Sequence, residues 1–281
     1  MTRTTERLIG GLKFGEGPRW RDGKLWYSDF YAHHVRTVDL AGNVETVVEV
    51  PNQPSGLGWG ADGHLLIVSM LDRRLLRWDG TNLSEAGDLS GVVSAPCNDM
   101  VVDAAGRAYV GNFGFERHKG QEPTTTSMWR VDPDGSIHEA ATDLMFPNGT
   151  IITPDGRTMI VGETFSSRLT AFDVAGDGGL SNRRVWAEME GGVPDGICLD
   201  ADGAIWVADP RGNRVIRYAE GGGVLEEIGF SDRGAYACML GGPEGRHLFV
   251  VTNTDSGPGV QGRADGAIEV IEVDVEAAGL P

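Results

Sequence analysis

Asp202-Gly203-Ala204-Ile205-Trp206-Val207-Ala208-Asp209 is a turn glycine behind an aspartate, then a run of apolar residues ending on an acid. Gly supplies the positive φ that a two-residue hairpin turn demands, and Asp is its usual partner there. The figure recurs upstream as Asp22-Gly23-Lys24-Leu25-Trp26-Tyr27-Ser28-Asp29 and Asp62-Gly63-His64-Leu65-Leu66-Ile67-Val68-Ser69. It returns as Ala105-Gly106-Arg107-Ala108-Tyr109-Val110-Gly111-Asn112 and Asp155-Gly156-Arg157-Thr158-Met159-Ile160-Val161-Gly162-Glu163. Downstream it closes with Glu244-Gly245-Arg246-His247-Leu248-Phe249-Val250-Val251. The turn glycines stand at 23, 63, 106, 156, 203 and 245, spaced by 40, 43, 50, 47 and 42 residues. A period of about 40–50 residues, with several short strands in each, is the mark of propeller blades.

Each copy continues into a further strand that ends on an aromatic or aliphatic residue, usually with Asp next. Examples are Val35-Arg36-Thr37-Val38-Asp39, Leu75-Leu76-Arg77-Trp78-Asp79, Met128-Trp129-Arg130-Val131-Asp132 and Leu169-Thr170-Ala171-Phe172-Asp173. Val215-Ile216-Arg217-Tyr218 and Ile268-Glu269-Val270-Ile271-Glu272-Val273-Asp274 complete the set. Both series count to six. With 42 Gly, 13 Pro and no amphipathic helical stretch between strands, the chain reads as all-β. The expectation is a six-bladed β-propeller with four-stranded antiparallel blades. No linker or change of composition interrupts residues 1–281, so one domain is expected.

The 41 acidic residues exceed the 24 basic ones, for a net charge of −17. A nucleic-acid backbone would be repelled, so no nucleic-acid partner is expected. Acidic side chains gathered in one place would instead hold a cation. Cys97, Cys198 and Cys238 cannot all pair and form no C-x-x-C, so they read as small buried hydrophobic residues in a reducing compartment. No apolar segment has the length to span a bilayer and the N-terminus has no leader pattern. A cytoplasmic protein with no membrane partner is expected; the oligomeric state is left open.

In a propeller the innermost strand of each blade lines the central channel, and here it lies just before each turn glycine. Counting eight residues back from the glycine gives Ser55, Asn98, Asn148, Asp195 and Ala237; in the first copy Glu16 stands seven back. Four of the six are oxygen donors of the kind hard cations use, two carboxylates and two amides. Pro-Asn-Gly and Pro-Asp-Gly are also common turn tripeptides. Four polar residues in phase on separate copies are what raise them to a candidate ring of ligands.

With these residues in view, the sequence resembles the SMP-30/gluconolactonase/LRE-like family, which includes sugar lactonases, other lactone hydrolases and a phosphotriesterase-type branch. The resemblance runs from Phe14-Gly15-Glu16-Gly17-Pro18-Arg19-Trp20 to Gly241-Gly242-Pro243. It implies a metal bound by Glu16, by Asn98 of Cys97-Asn98-Asp99, by Asn148 of Phe146-Pro147-Asn148-Gly149 and by Asp195 of Pro194-Asp195-Gly196. The ion expected is Ca²⁺ first, with Zn²⁺, Mg²⁺ or Mn²⁺ as alternatives. The resemblance further implies that Asp195 doubles as general base or nucleophile, and that Asn98 and Glu116 contact substrate. One departure stands out. Where family sugar lactonases carry a substrate-holding Arg, this chain has Pro96. That points to a lactone less polar than a sugar acid's, with Phe113, Phe115 and Phe165 as candidate wall residues.

A divalent ion in such a site polarises an ester carbonyl and eases deprotonation of water, and Asp195 would take up the proton. There is no G-x-S-x-G elbow for a serine mechanism. The six histidines show no ligand spacing, although His118 could assist proton transfer at the mouth. Asp99, Asn112, Glu163, Asp209 and Asn253 are read as ends of inner strands able to orient the ligands. Two alternatives stay open: a phosphotriesterase on the same metal, and a non-catalytic ligand-binding propeller.

Overall fold

The computed structural model describes residues 4–116 and 119–278. Its strands form six four-stranded antiparallel sheets. The first blade has β2 (Gly15–Arg21), β3 (Lys24–Asp29), β4 (His34–Val38) and β5 (Val44–Glu49). The second has β6 (Pro54–Trp59), β7 (Leu65–Ser69), β8 (Arg74–Trp78) and β9 (Leu83–Asp88). The third has β10 (Cys97–Val102), β11 (Ala108–Asn112), β12 (Thr126–Val131) and β13 (Ile137–Leu144). The fourth has β14 (Pro147–Ile152), β15 (Thr158–Glu163), β16 (Arg168–Val174) and β17 (Leu180–Glu188). The fifth has β18 (Ile197–Leu199), β19 (Ile205–Asp209), β20 (Arg214–Tyr218) and β21 (Val224–Gly229). The sixth takes β22 (Gly234–Gly241), β23 (His247–Asn253) and β24 (Gly266–Glu272) from the end of the chain and its outer strand, β1 (Glu6–Leu12), from the beginning.

The innermost strands contact one another in the order β2, β6, β10, β14, β18, β22 and back to β2, which closes the ring. This is the expected six-bladed propeller. The borrowed strand β1 was not foreseen, because its sequence, Glu6-Arg7-Leu8-Ile9-Gly10-Gly11-Leu12, has no turn glycine of the repeat in front of it.

Hydrophobic clusters fill the seams between blades. Leu65 and Ile67 pack toward the first blade with Val35 and Leu57, while Leu66 and Val68 pack toward the third with Met100 and Val110. Alternate residues of one strand therefore serve opposite seams. Both faces being buried, the second strand of a blade reads as a nearly continuous apolar run. All three cysteines are buried and free, with Cys198 Sγ 3.9 Å from Cys238 Sγ.

The six turn glycines all have positive φ, between +70° and +82°. Only the first turn, Asp22-Gly23, is the expected two-residue connection. In the others the loop is longer; Gly106 N–H, for instance, donates to Asp103 O and Asp103 N–H to Arg107 O. A tight turn ending in a left-handed residue needs Gly at that last position, so the same glycine signal serves both turn lengths. No described helix is long and apolar enough to cross a membrane.

Candidate metal and substrate site

The inner strands are irregular at one end. Pairing with the second strand slips between Glu16 and Arg19, Pro54 and Leu57, Cys97 and Met100, Pro147 and Thr150, and Ala235 and Ala237. Bulges of this kind re-aim a side chain out of the ladder. In the fifth blade β18 starts only at Ile197, so Asp195 lies just ahead of it. The register residues thus sit where the sheet lets go of its inner edge.

Glu16, Asn98, Asn148, Asp195 and Glu116 all line one cavity of about 580 Å³. Ser55 and Ala237, the other two register positions, do not; the second and sixth blades contribute Gln53 and Tyr236 instead. Ala237 turns into the core beside Leu240 and Phe249, because the bulge next to Tyr236 shifts the register by one. His118 lies outside the described residues, and no other histidine lines the cavity.

The polar contacts leave the amide oxygens for a ligand. Asn148 Nδ2 donates to Asp195 Oδ1 (2.5 Å) and to Thr164 Oγ1 (3.2 Å), and the Thr164 hydroxyl donates to Pro194 O (2.7 Å). Asn98 Nδ2 makes a long contact, 3.5 Å, to Pro147 O. Nearby, Arg19 Nη2 bridges to Asp99 Oδ1 (3.1 Å) and to Met100 O (2.7 Å), tying β2 to β10 inside the ring. Burial pushes the Glu16 carboxyl well above its ordinary value, and the negative charges of Asp195 and Asp99 push the same way. Burial holds the Tyr236 hydroxyl up at about 12, so it stays protonated.

Among the described residues no three His, Cys, Asp or Glu side chains cluster as a metal site. The donor set here differs, two carboxylates mixed with two carboxamides, all oxygen, which suits a hard divalent cation. The like-charge crowding of Glu16, Asp195 and Asp99 is a strain that a cation relieves. The residues therefore fit a divalent ion.

Of the side chains expected to end inner strands, Asn112, Glu163, Asp209 and Asn253 end second strands instead, and Asp99 lies within β10. Acids at the ends of second strands hold the segment that leads into the inner strand of the same blade. Asp29 Oδ1 accepts from Lys13 N–H (3.1 Å) and Phe14 N–H (2.9 Å), just before Glu16. Glu163 Oε2 accepts from Met145 N–H (2.9 Å), before Asn148; Asp209 Oδ1 accepts from Val193 N–H (3.1 Å), before Asp195. Each acid also meets an arginine of the following strand: Arg36, Arg168 or Arg214. Burial alone would raise the Glu163 carboxyl, but Arg168, Thr170 and the Met145 N–H outweigh it and hold it below the usual range.

The rest of the wall is aromatic and apolar. Phe113 and Phe146 stack at 4.6 Å, and Phe165 stands 5.2 Å from Phe146. Phe14, Phe30, Tyr31 and Met70 continue the wall, with Phe113 packed against their cluster. Phe115 is buried behind Phe146 and Phe165 and does not face the cavity. Phe146, Tyr236 and Arg211 were not foreseen; for Phe146 the signal was there, two residues before Asn148.

Among known proteins the chain is 28% identical to a pentonolactonase of Haloferax volcanii, over 99% of this chain and 97% of that one. It is also 28% identical to a 6-deoxy-6-sulfogluconolactonase of Pseudomonas putida, over 86% and 84% of the two chains. The fold matches that of a solved calcium-binding protein, regucalcin, of Agrobacterium tumefaciens, with TM-score 0.83 at 22% identity, over 100% and 97% of the two chains. Residues 14–254 match the model of the SMP-30/Gluconolactonase/LRE-like region, so the chain belongs to that family.

Proposed function

We propose that this protein is a metal-dependent hydrolase that opens lactone rings, with Glu16, Asn98, Asn148 and Asp195 as metal ligands and Asp195 as general base. The observation that carries the reading is the convergence of these four oxygen donors on one largely apolar cavity. The pentonolactonase and sulfogluconolactonase relatives point to the same reaction class. Calcium is the ion we favour, since every proposed donor is oxygen. The ion supplies Lewis acidity toward an ester carbonyl. The chain's own residues do the remaining work. Asn148 Nδ2, fixed by Thr164, holds one oxygen of Asp195. Asp195 accepts the proton of the attacking water and returns it to the ring oxygen as the ester C–O bond breaks. Asn98 and Glu116 border the space for substrate. The apolar walls exclude water and strengthen each charge interaction. With Pro96 at the wall, hydroxyl-rich sugar-acid lactones lack a cationic partner there. We take the chain to act as one domain in the cytoplasm.

The test is a panel of hydroxylated and apolar lactones, together with an organophosphate triester, assayed on metal-loaded and chelated protein. Apolar lactones should be opened faster than hydroxyl-rich ones, and chelation should abolish turnover. Asp195→Asn keeps an oxygen donor of nearly the same volume, so it should retain part of its metal and lose about 10²- to 10⁴-fold in kcat. Asn148→Asp, which adds charge at the ion but removes no base, is the control. Gluconolactone as best substrate by a wide margin would overturn the specificity, and preference for the triester the reaction class. Near wild-type kcat in a metal-replete Asp195→Asn protein would move the base elsewhere.

A further inference from the structure

Four blades present their rim to the cavity through the same loop. After the last residue of the second strand, Asp29, Ser69, Glu163 or Asp209, the chain turns through a few residues before the third strand. Four residues past each strand end, a non-glycine residue takes positive φ: His33 (62°), Arg73 (57°), Ser167 (50°) and Asn213 (52°). The loops are therefore alike, and the residue two past the strand end is equivalent in each. Those residues are Tyr31, Leu71, Phe165 and Arg211, and all four line the cavity. Three are apolar or aromatic; the fifth blade alone presents a cation.

Arg211 is the only positively charged side chain lining the cavity among the described residues. It makes no hydrogen bond or ion pair with them, whereas Arg36, Arg168 and Arg214, on the third strands of their blades, each meet a carboxylate. Glu116, the other charged rim residue, already pairs with Lys119 at 2.8 Å. The guanidinium is exposed at the cavity and so is available to a ligand. Its backbone is nonetheless fixed. Asp209 Oδ1 accepts from Gly212 N–H (3.0 Å) and from Val193 N–H (3.1 Å). One carboxylate oxygen thus holds both the turn that carries Arg211 and the segment that leads to Asp195. A Cβ at Gly212 would run into the Asp209 carboxylate and Arg214 Nε, so a side chain there would have to displace the ion pair beside the turn.

We infer that Arg211 recognises an oxyanion on the substrate, and that the natural ligand is a lactone with an apolar body and a negatively charged substituent away from the ring ester. The inference rests on the lactonase reading and adds a substrate class to it. In the ring order the fifth blade faces the second, so the charged group meets Arg211 across the cavity from Leu71, while the ligand's body lies against the apolar rim. Guanidinium suits carboxylate, sulfonate or phosphate through paired N–H donors; Arg211 is exposed in the free chain, so its partner is water until a ligand anion takes that place.

The test compares lactones identical except that one carries a carboxylate, one a sulfonate and one the neutral methyl ester, on wild type, Arg211→Ala and Arg211→Lys. The preference for the charged over the neutral lactone, as a ratio of kcat/KM, should fall by about 10- to 100-fold in Arg211→Ala. The loss should lie in KM, and Arg211→Lys should restore part of it. The carboxylate and sulfonate arms tell which oxyanion is preferred. An unchanged ratio in Arg211→Ala overturns the inference. The corresponding lactams, which are not hydrolysed, are titrated calorimetrically in parallel. If wild type opens no lactone, the lactonase reading fails, while tighter binding of the charged lactam that depends on Arg211 still upholds anion recognition. No dependence on Arg211 in that titration overturns it.

Discussion

Glu16 carries the cost of the site most directly. Its carboxyl is raised by burial first and then by Asp195 and Asp99, against which Arg19 and the Gly17 N–H act only in part. A carboxyl raised on folding holds its proton more tightly in the folded chain than in the unfolded one. Its ionisation therefore destabilises the metal-free fold as pH rises above the ordinary value of 4.5, and the full penalty is reached above the raised folded value. Chelated Glu16→Gln, which removes that ionisation, should melt higher than chelated wild type at pH 8. The gap should close as pH falls toward 4.5. Added Ca²⁺ should reverse the order, because the variant lacks a proposed ligand. Thermal melts of both proteins across pH, with chelator and with calcium, check this; a variant less stable than chelated wild type at pH 8 would refute it. The residues at issue were legible in the sequence because each blade repeats its register: counting back from a turn glycine reached Glu16, Asn98, Asn148 and Asp195. The same count named Ala237 where the wall has Tyr236, since one bulged residue flips which side chain faces in. Arg211 was illegible for another reason. Its loop has no sequence signature, and only the shared left-handed residue at 33, 73, 167 and 213 makes the four loops equivalent.

The element that matters most is the inner strand at its bulge. The Gly of Pro147-Asn148-Gly149 looks like turn chemistry in sequence, but the structure gives it another cause. A Cβ there would lie 2.5 Å from both Asp195 O and Ile197 N, backbone atoms of the next blade. Gly149 N–H also donates to Asp195 O (3.1 Å), and Gly196 N–H to Tyr236 O (2.8 Å), so adjacent inner strands are stitched together beside the candidate ligands. Gly149→Ala should therefore cost about 1–3 kcal/mol or more through overpacking against atoms that cannot rotate away. It should also weaken calcium binding, because the displaced backbone carries Asp195. Gly176→Ala is the control: nothing lies within 4 Å of its Cβ position, and its effect should stay within about 0.5 kcal/mol. Denaturant melts and calcium titrations measure both, and equal, small effects in the two variants would show that the inner strands can part at no cost. Sequence reading met these glycines only as members of turn-like tripeptides beside the candidate ligands, since contact between blades leaves no trace in local sequence.

Across the whole molecule, the sixth blade is completed by strands from both ends of the chain. β1 pairs with β24 in antiparallel register from Glu6 opposite Val270 to Leu12 opposite Gly266, and Arg7 Nε donates to Glu269 Oε1 at 3.3 Å. Leu12 is 2% exposed and joins the cluster that fills the seams around the sixth blade, with Leu8 and Ile9 packed against it. Holding together ends some 260 residues apart costs roughly 5 kcal/mol in loop entropy by a (3/2)RT ln n estimate. That cost is met jointly by the β1 ladder, by this apolar packing and by the contacts of β2 with β22. The strand that follows β1 also carries Glu16, so closure and metal binding should be coupled. Removing residues 1–11 should leave β24 as an open edge and lower the melting temperature by many degrees. Calcium should protect the truncated chain less than the intact one, because ion binding must first pull the ring shut. Amide exchange gives the spatial readout: in the truncated protein, protection should be lost first in β24, β23 and β22 and in the facing β2, while the third and fourth blades keep theirs longer. A truncated chain with wild-type melting temperature, calcium protection and exchange pattern would show that the inner-strand contacts alone hold the ring, with β1 only covering an edge.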